Sequence, residues 1–100
     1  MLRHVAVFIW KSGTTPEQVE AFADGLAGLP AQIPEIRTYR FGPDVGIADG
    51  NGDFALVADF DDEDAWRTYQ NHPVHQRFIV DRARPILETR HAVQYRLTER

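Results

Sequence analysis

The sequence predicts an α+β fold of the ferredoxin-like kind, β-α-β-β-α-β, with a four-stranded antiparallel sheet and helices on one of its faces. Three observations predict it. Four short segments rich in β-branched and aromatic residues alternate with a two-residue period. Two segments open on helix-start signals and continue with apolar residues at helical spacing, and proline or glycine punctuates the joints between elements.

Residues 2–11 carry no breaker and read as a buried strand, with His4, Ala6 and Phe8 on one face and Val5, Val7 and Ile9 on the other. Ser12-Gly13-Thr14 is a turn. Thr15 is the expected N-cap of the first helix, Pro16 its first residue and Gln18 the capping-box partner. Val19, Phe22, Ala23, Leu26 and Leu29 then form one apolar stripe, and Pro30 and Pro34 end the helix. Residues 36–41 alternate as a second strand, residues 42–53 form a glycine-rich loop, and residues 54–60 form a third strand paired antiparallel with the second. The loop lacks a phosphate-cradling signature. Asp61 to Asp64 place acids at the start of the second helical region, where the helix dipole favours them. Pro73 interrupts that region, residues 73–84 resume it with Val74, Phe78, Ile79 and Ala83 as a packing face, and Pro85 closes it. Residues 88–97 alternate as the last strand. The second face of the sheet has no helix to cover it, so a homodimer through the sheet is the expected partner arrangement.

With 100 residues the chain reads as one small domain over residues 1–100. A chain of that size buries only about two-thirds of its unfolded surface, so a second subunit would add core. The net charge of -4, with acids and bases interspersed, gives nucleic-acid binding no electrostatic support. Cysteine is absent, which excludes thiolate catalysis and fits a reducing cytoplasm. The first apolar run is too short for a bilayer span, and no signal peptide or membrane segment is expected.

Tyr69-Gln-Asn-His72-Pro73-Val-His75 concentrates a phenol and two imidazoles around a helix-breaking proline. These groups can bind, orient and move protons on a small polar molecule near neutral pH. With Leu2-Arg-His4-Val, Thr15-Pro-Glu-Gln18, Ile33-Pro34-x-Ile36 and Phe60 before the acidic helix start, the segment resembles the stress-responsive A/B barrel (Dabb) domain family over almost the whole chain. The resemblance implies a dimeric α+β barrel. It also implies a range of roles, from heat-stable stress proteins to a plant polyketide cyclase that closes a poly-β-ketone by aldol chemistry without metal or organic cofactor. By that resemblance His75 corresponds to the general base, Tyr69 to an assisting group and His4 to a pocket residue. Phe54 departs from the cyclase, which has another pocket histidine there, and makes the cavity more apolar.

The expected site therefore has His75 and Tyr69 as acid–base groups, with His4, Phe8, Phe22, Phe54 and Phe78 around a small hydrophobic carbonyl ligand. No cofactor is expected. Metal binding is not expected either, because Pro73 disturbs the i, i+3 face of His72 and His75 and no nearby carboxylate completes a ligand set. His72 reads as a helix-end residue pairing with loose carbonyls. The competing expectation is a non-catalytic stress or assembly protein in which the same histidines only cap and pack.

Overall fold

The computed structural model describes residues 1–98. Strands β1 (Leu2–Trp10), β2 (Thr38–Pro43), β3 (Phe54–Phe60) and β4 (Leu87–Arg96) form one antiparallel sheet in the order β2-β3-β1-β4. This is the ferredoxin-like arrangement, with the first and third strands central. Helices α1 (Pro16–Ala27), α2 (Leu29–Gln32), α3 (Glu63–Asn71) and α4 (Pro73–Phe78) supply the other layer.

The capping box at Thr15 forms as the sequence predicts: the Gln18 N–H donates to Thr15 Oγ1 at 3.2 Å, and the Thr15 N–H donates to Gln18 Oε1 at 2.9 Å. Asp62 caps α3 by accepting from the Ala65 N–H at 2.9 Å. Three boundaries differ from expectation. Pro30 sits in the first turn of α2, where its missing N–H costs nothing, rather than closing the helical region. Ile36 is a buried turn residue, and β2 begins later and runs through Pro43, which an edge strand tolerates. After α4 the chain continues through a π-helical turn, Ile79–Ala83, in which the Arg84 N–H reaches the Ile79 carbonyl at 2.9 Å.

The register sorts the side chains into rows across the sheet. On the helix-covered face one row is Tyr39, Ala58, His4 and Gln94, and another is Pro43, Phe54, Phe8 and Arg90. Beneath the helices Phe22 packs its ring 5.2 Å from those of both Phe8 and Phe54 and 5.1 Å from that of Phe78. Gly25 brings α1 close to the π-helical turn: a Cβ there would lie 2.7 Å from the Phe78 ring.

The opposite face has an apolar centre, with Arg40, Val57, Val5 and Val93 in one row and Gly42, Ala55, Val7 and His91 in the next. A polar row crosses it. Arg3 donates to both oxygens of Asp59 at 2.8 and 2.9 Å, and Thr38 Oγ1 donates to Asp59 Oδ2 at 2.7 Å. The Arg3 guanidinium holds the Asp59 carboxyl below its usual range against the opposing effect of burial, with Thr38 assisting. Among the described residues no helix is long and apolar enough to cross a membrane.

Candidate active site

The site is built on the interruption at Pro73. Proline has no N–H, and the residue before it is pushed out of the helical region. His72 accordingly takes φ -64° and ψ 135°, and α3 stops. In an unbroken helix the Gln70 carbonyl would accept from the Val74 N–H. Here that N–H donates to His72 Nδ1 at 3.1 Å, so His72 caps an amide rather than meeting loose carbonyls. The Gln70 carbonyl is released, and it pairs with His75 Nδ1 at 3.2 Å and Gln76 Nε2 at 2.6 Å. A carbonyl only accepts. His75 therefore carries its hydrogen on Nδ1, and its neutral form keeps a lone pair on Nε2.

Burial pushes the His75 pKa below that of free imidazole; the bond to Gln70 opposes this shift, and the charges of Arg90 and His72 add to it. The ring is neutral near pH 7. Its centroid lies 4.3 Å from that of Tyr69, which is buried at the end of α3. The Tyr69 and Tyr39 hydroxyls share a 2.7 Å hydrogen bond. Burial raises both phenols, Tyr69 to about 12, so both stay protonated. When Tyr39 is the donor, the Tyr69 hydrogen is available to a ligand.

His4 completes the polar wall from the central strand. Its Nδ1 is 2.8 Å from Gln94 Nε2, and its ring centroid lies 6.1 Å from the Trp66 ring, whose buried indole N–H has no partner among the described residues. Burial, with the Arg90 and His75 charges adding, lowers its pKa to about 4.

Of these groups, His4, Tyr69, Gln70 and His75 border a cavity of about 140 Å³ between the sheet and the broken helix. A dry cavity of roughly 150 Å³ accommodates benzene, so this one has room for an aromatic ring. His4, Phe8, Tyr69, His75 and Phe78 line it, as do Gln70 and Arg90. Phe22 and Phe54, expected on the wall, do not reach it. Their rings meet each other at 5.2 Å and fill the layer between α1 and the sheet, behind Phe8. No sequence pattern marks Tyr39, Gln70, Arg90 or Gln94 as belonging to the site. Register was the missing signal for the three strand residues: once His4 is placed, Tyr39 and Gln94 fall in its row and Arg90 opposite Phe8. Gln70 acts through its backbone carbonyl, which no side-chain pattern marks. Among the described residues no three histidine or carboxylate side chains gather into a metal-holding group.

The family model of the stress responsive A/B barrel domain matches residues 2–97. The chain belongs to this family. The family's relatives include the stress-response A/B barrel domain-containing protein HS1 of Arabidopsis thaliana, 28% identical over 81 residues that cover 79% of this chain and 74% of HS1. Among solved structures, a dimeric ferredoxin-like protein of unknown function from Thermobifida fusca is 49% identical, with a TM-score of 0.89 over 96% of this chain and 90% of that one. The hydroxynitrile lyase of Passiflora edulis shares the fold at 18% identity, with a TM-score of 0.86 over 99% of this chain and 94% of the lyase.

Proposed function

We propose that this family member takes a small hydrophobic carbonyl compound into its cavity and moves a proton on it without a cofactor, acting as a homodimer closed over the open sheet face. One observation carries the reading. A buried, neutral imidazole has its Nδ1–H tied to backbone and its ring 4.3 Å from a buried phenol, both on the wall of one cavity.

In the reaction, the C–H bond next to the carbonyl breaks. His75 Nε2 takes the proton, and the electron pair moves onto the carbonyl oxygen as an enolate. Tyr69 is the donor that stabilises that oxygen, and His4, its ring 6.4 Å from that of Tyr69, is a further polar contact. The enolate carbon then either attacks a second carbonyl in the same molecule, closing a ring as a polyketide-cyclase-like enzyme would while that carbonyl's electron pair becomes an alkoxide that takes the proton from His75, or takes the proton back itself. The homodimer is supported by the half-exposed Val93 and Tyr95 on the open face and by the Thermobifida fusca relative, described as dimeric.

A structural role in a stress or assembly protein is favoured by a different observation: His72, His75 and Gln76 all bond to backbone at the break. Deuterium exchange of the α-protons of phenylacetone separates the two. The wild type is expected to accelerate exchange over buffer, and His75→Gln to lose about 100-fold or more of that acceleration. If His75→Gln lowers the melting temperature and leaves exchange unchanged, the structural role holds instead.

A further inference from the structure

Resting on that reading of the cavity, we infer that its ligand carries an anionic group, most simply a carboxylate, which Arg90 holds at the cavity mouth while the carbonyl and hydrocarbon part lie inside. Arg90 stands on β4 opposite Phe8, on the helix-covered face, and it is the one charged side chain among the lining residues. The remaining lining is neutral: two imidazoles, a phenol, the Gln70 amide and hydrocarbon. No carboxylate lines the cavity, and among the described residues Arg90 has no ion-pair partner; Arg40, Arg77, Arg82 and Arg84 also have none, but Arg90 alone of these borders the cavity.

β4 is the sheet edge beside the cavity, and Arg90 is exposed there. The guanidinium thus keeps its hydration while its stem borders the apolar space. An acid entering ring-first would leave its carboxylate at the fork-shaped donor set, which matches carboxylate geometry in a way an ammonium does not. The charge also reaches the catalytic wall, since it acts on His4, His75 and Tyr69 alike. A positive charge in this position favours the enolate over the neutral ketone as the α-proton leaves. Bound acid and forming enolate both gain from one arginine.

The test uses two probes with one skeleton: phenylpyruvate, and phenylacetone, in which a methyl group replaces the carboxylate. Binding is followed by calorimetry or ligand-observed NMR with the wild type, Arg90→Gln and Arg90→Lys. The wild type is expected to prefer phenylpyruvate by about fivefold, the upper range for an exposed ion pair. Arg90→Gln should abolish the preference and leave phenylacetone affinity unchanged, Arg90→Lys should keep part of it, and added salt should shrink it in the wild type. Equal weakening of both probes by Arg90→Gln would make Arg90 a wall and overturn the anion proposal while leaving the carbonyl reading intact. If the wild type binds neither probe, the carbonyl reading fails and the anion proposal falls with it.

Discussion

At the scale of single residues, the chemistry depends on two imidazoles kept neutral by their surroundings. His4 is 2% exposed, and its pKa is lowered to about 4. Its value in the unfolded chain is about 6.5, so between the two the unfolded state binds more protons and stability rises with pH. Acidification from about pH 6.5 to about pH 4 should therefore cost roughly 3 kcal/mol through His4, and the depressed pKa of His75 acts in the same direction. Urea midpoints measured at pH 7 and pH 4.5 check this, and His4→Asn should reduce the dependence, leaving the share that His75 contributes. An unchanged slope in that variant would mean the ring is solvated in the fold. The residue pattern around Pro73 was legible because proline leaves a mark in sequence and its flanking imidazoles are rare residue types. What Gln70 does was not legible. Its carbonyl is identical to every other until the Val74 N–H is drawn to His72, and only the three-dimensional break shows that diversion.

At the scale of elements, helix starts were readable and helix ends were less so. Thr15, Pro16 and Gln18 declare α1 by side-chain chemistry, whereas Pro30, expected to end the helix, opens the next one, because proline is suited to either place. The π-helical turn at Ile79–Ala83 has no side-chain signature at all. It matters because it packs against α1 beside Phe78, where Gly25 leaves no room for a methyl group. Alanine at that position would gain about 1 kcal/mol of helix propensity. It would also overpack the contact at about 1–3 kcal/mol. Because Phe78 lines the cavity, Gly25→Ala should lower the denaturation midpoint and weaken probe binding together. A rise in stability with binding intact would show that the two layers can separate at this point without cost.

At the scale of the whole molecule, the sequence showed that one sheet face is covered and the other open, because alternation assigns every strand residue to a side. It did not show that the open face is crossed by the Arg3–Asp59–Thr38 row, since pairing these residues requires the strand order β2-β3-β1. The proposed dimer would close over the valine row in the middle of that face. Burying one such side chain contributes about 1.5–3 kcal/mol, and two-fold symmetry repeats each contact. Sedimentation should give a dimer at micromolar concentration, and Val57→Asp, which places a charge in the centre of the row, should give a monomer. A wild-type monomer under the same conditions would leave the open face without its partner.

The assembly matters to function only if the cavity beneath the other face holds a base in the right form. Long-range proton–nitrogen NMR of the His75 imidazole near pH 7.5 reports that form directly. The release of the Gln70 carbonyl predicts a hydrogen on Nδ1, an unprotonated Nε2, and a ring that titrates below free imidazole. A hydrogen on Nε2, or titration at or above the free value, would contradict the mechanism at its first step.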